Sequence, residues 1–187
     1  MLRRALRLLV SPAREWAAIA GERESWHAVA AGYVLPLAAL PAAAWMAGRL
    51  LFPADLATRE ATPLAHAAIA RAGAIAFCGS VLWVALLAGA FCAAAPLFGA
   101  PREWARSWQV AAYGTTPLWL AGVLLLKPVL VGLLLIPMLH CTYLYYTGLQ
   151  AVIGVKAGAA AEYVGIVIVL ALLCSTLLGA ALAGFVP

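Results

Sequence analysis

Charge is what this chain has least of. Its 12 Lys and Arg and 7 Asp and Glu make up 10% of 187 residues, against about 25% in soluble domains. Hydrophobic residues reach 66% with a mean hydropathy of +1.00, more apolar surface than one soluble core of this size can hide. Disorder is excluded by the same composition. Catalytic and metal-binding signatures are missing too. Cys78, Cys92, Cys141 and Cys174 stand apart with no Cys-x-x-Cys, so they read as small apolar fillers rather than thiolate ligands. His27 and His66 form no ligand cluster, and no His-Glu-x-x-His, Gly-x-Ser-x-Gly or phosphate-binding glycine loop occurs. Ser80, after Gly79, reads as a packing residue. The remaining class is an integral membrane protein.

The few charges are spaced to suit a bilayer. Uncharged runs of 24 residues (after Glu24), 30 (after Arg71), 20 (after Arg106), 28 (after Lys127) and 25 (after Glu162) punctuate the chain. A helix needs about 20 apolar residues to cross. Stretches such as Val123–Leu126 and Leu133–Ile136 lack the polar alternation of a barrel strand. The spacing predicts an all-α membrane protein with five transmembrane helices over about 26–51, 73–97, 108–126, 128–150 and 163–186. None of these carries Asp or Glu, which removes intramembrane aspartyl proteolysis and carboxylate proton relays.

Residues 1–25 form a separate arm. Its apolar stretch Leu8–Val10 is too short for a signal peptide. Leu2, Leu6, Leu9 and Val10 fall on one helical face and Arg3, Arg4 and Arg7 on the other, and Ser11-Pro12 starts a second helix. The expectation is an amphipathic interfacial helix whose Arg3, Arg4, Arg7 and Arg14 contact anionic lipid headgroups. The net charge of +5 comes mainly from this arm and lacks the polar and aromatic readers of a nucleic-acid surface. Lys and Arg number 8 on the side of the N-terminus and 4 on the other (Arg49, Arg59, Arg71, Lys127). That imbalance predicts a cytoplasmic N-terminus and an extracytoplasmic C-terminus. Gln109, Tyr113, Thr115, Thr116 and Pro117 make the third span the least apolar; were it not to cross, the C-terminus would return to the cytoplasm.

Two segments echo each other: Pro12–Ala17 with Pro101–Ala105, and Ala30–Leu37 with Ala111–Leu118. Either helices one–two and three–four are parallel repeats, or Arg and Trp simply gather at interfaces. Ala85, Gly89 and Ala93, like Ser175, Gly179 and Ala183, recur every fourth residue, as faces for close helix approach within the bundle or in a homo-oligomer.

On the fourth helix His140, Tyr143, Thr147 and Gln150 share an arc of about 80°, while Tyr145 and Tyr146 point elsewhere. With Tyr113, Thr115 and Thr116 opposite, this stripe is either a polar cleft for a headgroup, solute or proton, or interhelical hydrogen bonding. Pro117 frees the Tyr113 carbonyl and Pro137 that of Leu133. Lys127-Pro128 leaves almost no loop. Equal counting from there sets 113 level with 141 and 116 with 138, and predicts a neutral His140 bonded to Tyr113, Thr115 or Thr116.

The Ser-Pro-x-x-Glu-Trp arm, Leu35-Pro36-Leu37, Thr116-Pro117-Leu118-Trp119-Leu120, the Tyr143–Leu149 segment, and Lys156 with Tyr163 together resemble the Yip (Rab-interacting) domain family over essentially the whole chain. The resemblance implies five transmembrane helices, no enzymatic activity and no known cofactor. Eukaryotic members are implicated in vesicle trafficking through Rab-type GTPases by way of a long cytosolic arm. The arm here is short, so a GTPase partner is not expected. The Ala- and Arg-rich composition suits a high-GC bacterium and its inner membrane. The reading is a membrane-organising or scaffolding protein, the alternative a small carrier or channel built on the polar stripe.

Overall fold

The computed structural model describes residues 1–52 and 66–182, all helices and short connections. Two arm helices, α1 (Leu2–Val10) and α2 (Pro12–Gly21), precede five helices long and apolar enough to cross a membrane. These are α3 (Trp26–Leu51), α4 (His66–Phe98), α5 (Trp104–Leu126), α6 (Val129–Ile153) and α7 (Ala157–Leu182). The five expected spans are all present. Helix α4 begins before Arg71, where the charge-defined span did not, because a helix does not end where the hydrocarbon does and Arg can snorkel to the interface. Arg59 and positions 183–186 of the expected fifth span lie outside the described residues.

Prolines and glycines set the irregularities. Pro36 has no N–H for the Gly32 carbonyl, and α3 widens into a π-turn at Ala30–Val34 just before it. Helix α5 is α-helical over Trp104–Gly114 and Thr116–Leu120, then tightens to 3₁₀ geometry through Leu126. After Lys127 the chain re-enters as 3₁₀ helix over Pro128–Leu134 and becomes α-helical at Leu135. Pro137 thus falls in a first α-helical turn, where a missing N–H costs little. Gly154, at φ +81°, caps α6 in the left-handed conformation.

The least apolar span is the most enclosed. In α5, 61% of the span window is buried, against 17–33% in the other four. It touches α1, α3, α4 and α6 along its length, and α2 through Trp16 and Ala20. The unbroken run Ser107–Pro117 is buried, so its polar side chains face protein on every side. Lipid would offer them no partners. Around this mast the outer helices turn Leu35, Leu82, Leu139 and Val169 outward.

Close approach happens at glycines the four-residue pattern did not select. Gly148 lies under the Trp16 ring, where a Cβ would sit 2.8 Å from Cζ2, and Gly122 lies against Pro41, 2.6 Å from Cγ. Gly48 meets the Leu126 backbone and Gly114 the Tyr145 ring. By contrast, nothing lies within 4 Å of a Cβ at Gly89 and Ala93 is exposed, so the Ala85–Ala93 face is not a packed seam of this bundle. Ser175 is half-buried, and the Gly179 side and Ala183 lie outside what is described. The cysteines depart from filler roles as well: Cys141 is buried, but Cys78 and Cys174 are exposed on outer faces. Overpacking costs about 1–3 kcal/mol, whereas an unhindered helical Gly→Ala gains up to ~1 kcal/mol. Gly148→Ala should therefore lower the thermal unfolding temperature in detergent, and Gly89→Ala should hold or raise it.

Candidate functional site

The chemistry gathers where the arm meets the bundle. Around α1 at 100° per residue, Arg4, Leu8 and Ala5 occupy one sector, and Leu9, Leu2, Leu6 and Val10 the next. The first sector is the one that docks. Ala5 and Leu8 are fully buried, while Leu2, Leu6 and Val10 remain 57–81% exposed. Helix α2 adds Trp16 and Ile19, both fully buried. The arm is therefore seated on protein by one sector while its leucine sector stays open to the surroundings. Of the four arginines expected at lipid headgroups, Arg3, Arg7 and Arg14 are exposed. Arg4 is not: it turns inward.

Carboxylates draw it there. Arg4 Nε donates to Glu15 Oε1 at 3.1 Å, Nη2 to Glu22 Oε1, and Nη1 lies 3.6 Å from Glu24 Oε2. Glu15 is only 6% exposed and has a second cation in Arg7 at 3.8 Å. Arg4 Nη1 also donates to the Tyr113 hydroxyl at 3.0 Å, and that hydroxyl donates to Glu24 Oε2 at 3.1 Å. One guanidinium thus ties both arm helices, the approach to α3 and the middle of α5. Burial opposes the charge, but the hydrogen bonds to Glu22 and Tyr113 outweigh it and raise the Arg4 pKa above the ordinary guanidinium value. A raised pKa means the stabilisation is complete below the unfolded value and fades only as pH climbs through the folded one. That window lies in strong alkali, so the cation persists at every physiological pH.

Below this junction the polar groups form two closed hydroxyl pairs. Thr116 Oγ1 donates at 2.6 Å to the Tyr113 carbonyl, the acceptor that Pro117 leaves free. With its one proton spent, Thr116 accepts from the Tyr33 hydroxyl at 2.7 Å. Thr115 Oγ1 likewise donates to the Ala111 carbonyl at 2.7 Å and so accepts from Tyr145 at 2.8 Å. The Tyr33 and Tyr113 rings pack edge to face with centroids 4.6 Å apart. On the far side of α4 the Tyr163 hydroxyl donates to the Phe91 carbonyl, and Ser80 accepts from Trp119 Nε1 at 2.8 Å.

The expected stripe on α6 does not join these pairs. Tyr143 is 49% exposed. Thr147 donates to the Tyr143 and Leu144 carbonyls and Gln150 to that of Tyr146, all on their own helix. His140 makes no bond to Tyr113, Thr115 or Thr116; it meets Tyr143 edge-on at 6.0 Å and its Nε2 has no partner. The face that does turn inward is Cys141, Leu144, Tyr145, Gly148 and Leu149. It is chosen by fit, because Gly148 admits Trp16 and Tyr145 fills the space over Gly114. The antiparallel hairpin is present, but Thr115 pairs with Tyr145 rather than with a residue near 139. A long ring leans toward the N-terminus of its helix, here toward the hairpin, which accounts for part of that offset. Tyr33, Tyr145 and Tyr163 are the polar residues that sequence reasoning missed. For Tyr33 the signal was its echo with Tyr113.

Two cavities flank the junction. One of about 380 Å³ opens beside Arg3, Arg4, Arg7, Glu15, Tyr33 and Tyr113. The other, about 350 Å³, is bordered by Glu22, Arg23, Glu24, Glu103, Arg106 and Gln109. Among the described residues no three metal-ligating side chains converge.

Among known protein families, the model described as Yip1 domain aligns with residues 6–179. No curated protein and no solved structure matches the chain.

Removing the Arg4 charge should release the arm. Arg4→Gln leaves Glu15 buried with only the more distant Arg7, and a stranded buried group costs about 1–3 kcal/mol. Glu24→Gln acts at a side chain 44% exposed and should cost under ~1 kcal/mol. Thermal unfolding and tryptic cutting after Arg14 and Arg23 check this. Arg4→Gln should be the less stable and the faster cut, and equal behaviour of the two variants would remove Arg4 from its central place.

Proposed function

The chain belongs to the Yip1 domain family, and from that premise we propose that it is a non-enzymatic, membrane-organising scaffold of the bacterial inner membrane. The observation that carries this reading is where the interior polar groups are spent. Tyr33, Tyr113, Tyr145, Thr115 and Thr116 bond to one another, to backbone carbonyls and to the arm. Trp119 and Leu144 pack beside them, each no more than 2% exposed. A carrier needs a wet, rearrangeable polar path, and of the residues proposed for one on α6, Thr147 and Gln150 satisfy themselves on their own helix. An interior whose tyrosine and threonine hydroxyls are packed and bonded suits a body that holds partners or lipids at its surface.

In this reading the N-terminus is cytoplasmic and the C-terminus extracytoplasmic, on the 8-to-4 distribution of Lys and Arg. Arg3, Arg7 and Arg14, exposed beside the outward leucines of α1, suit anionic headgroups. Nothing on the arm suits a nucleic acid. Homo-oligomer formation would use the half-exposed Ala85–Ala93 face of α4.

Two measurements test the proposal. Proteoliposomes carrying the purified protein should hold proton and small-solute gradients as tightly as empty vesicles; a protein-dependent leak would favour the carrier. Alkaline phosphatase fused after Pro187 should be active and green fluorescent protein there dark, and the reverse pattern would overturn the orientation.

A further inference from the structure

The first cavity, of about 380 Å³, lies between the Arg3–Arg7 edge of α1 and the first two turns of α3. Its carboxylates are already engaged. Arg4 donates to Glu15 at 3.1 Å and lies 3.6 Å from Glu24, and the Tyr33 and Tyr113 hydroxyls donate to Thr116 and Glu24. Two guanidiniums on the border are still open. Arg3 is exposed and takes part in none of the ion pairs of the described residues. Arg7 is 53% exposed at its side chain, and its carboxylate neighbour, Glu15 at 3.8 Å, is beyond hydrogen-bond distance. The two stand one turn apart and about 40° from each other around α1, and both border the same space. On that border Arg3, Arg4 and Arg7 meet Glu15 and Glu24, which leaves one positive charge to match. Glu22, the third carboxylate on Arg4, borders the other cavity.

The opposite wall is apolar and open. Ala28 and Gly32 are exposed there, and nothing lies within 4 Å of a Cβ placed on Gly32. Ala28, Gly32 and Leu35 follow at helical spacing, and Leu35 is 42% exposed, so the stripe carries on from the cavity along the outer side of α3. The depth suits a lipid as well. Trp26, at the start of α3, packs against Trp104 and Trp108 at 6.3 and 5.5 Å, and Trp clusters mark headgroup level. Guanidiniums at that level, with an apolar stripe leading away from them, match a phosphate that carries acyl chains. A dianionic phosphate monoester would exceed the one unmatched charge and meet Glu24, 44% exposed. A phosphodiester carries a single charge.

We propose that this cavity binds the phosphodiester headgroup of a singly charged anionic lipid of the phosphatidylglycerol type. Arg3 and Arg7 donate to the phosphate, and an acyl chain lies along Ala28, Gly32 and Leu35. The site deepens the reading of the arm as a headgroup-facing segment and rests on it, but it is independent of the scaffold role. Arg14, on α2, does not border the cavity and has no part in it.

Native mass spectrometry of the full chain in mild detergent, titrated with phosphatidylglycerol or phosphatidylcholine, tests it. Phosphatidylglycerol should be retained at least about fivefold better, the worth of two exposed arginine contacts together. Phosphatidylcholine has the same phosphodiester but brings an ammonium toward Arg3 and Arg7. Arg3→Gln and Arg7→Gln should each weaken the preference and jointly remove it. Gly32→Leu should remove it with every charge kept, because the side chain fills the cavity, and its unfolding temperature should match that of the wild type. Arg14→Gln, an equal loss of charge off the cavity, should leave the preference intact. Soluble glycerophosphoglycerol at millimolar concentration separates the two sources of the headgroup. A raised unfolding temperature in the wild type and not in Gly32→Leu means that the free phosphodiester binds; no rise, with phosphatidylglycerol retained, assigns the site to the lipid. A preference untouched by Gly32→Leu, or lost equally in Arg14→Gln, overturns the cavity site and leaves headgroup contact by the arm in place. Equal retention of the two lipids by the wild type overturns both.

Discussion

Everything in this fold follows from one requirement: a span with Gln109, Tyr113, Thr115 and Thr116 along it cannot face lipid. An unsatisfied hydroxyl or amide in hydrocarbon costs several kcal/mol, so α5 has to be surrounded and its polar groups given partners. Helices α3, α4 and α6 do the surrounding, and Tyr33 and Tyr145 bring hydroxyls to Thr116 and Thr115. The Tyr113 hydroxyl takes its partners from the arm side instead, from Arg4 and Glu24. The outer helices, free of that demand, spend their apolar residues on lipid.

The bilayer explains why so much was legible beforehand. As a solvent it forbids charges and unpaired backbone over some 30 Å, so long uncharged runs located all five spans. The interior is different. Lipid tails and protein cores are equally apolar, and hydropathy cannot tell which face of a helix turns inward. On α6 the polarity of His140, Tyr143, Thr147 and Gln150 pointed to the wrong face, because a Thr or Gln on a helix can satisfy itself on the preceding turn. Shape decided instead, through Gly148 beneath Trp16 and Gly114 beneath Tyr145. Those pairs are far apart in sequence and leave no periodic trace.

The arm teaches the complementary lesson. Segregated leucines and arginines describe α1 correctly as amphipathic, yet a wide apolar arc leaves open which sector meets protein. Arg4 sits at the edge of that arc, next to Leu8, and the three glutamates pull that edge inward. The echo between arm and α5 is similarly incomplete in space. Tyr33 and Tyr113 meet, but Trp16 is wholly buried while Trp104 is 38% exposed, so matching letters occupy unlike surroundings.

The separation of the arm's partners along the chain also orders events in time. Arg4 and Tyr113 are 109 positions apart, and Trp16 rests on Gly148, farther still. Chains emerge from the ribosome N-terminus first, at about 5–20 residues per second. Arg4 can meet Glu15 and Glu22 almost as soon as it is made, but its hydroxyl partner arrives seconds later and the seat for Trp16 later again. The arm, made before the spans it rests on, is thus among the last parts to be locked, and its final docking requires that the third and fourth spans have already been inserted.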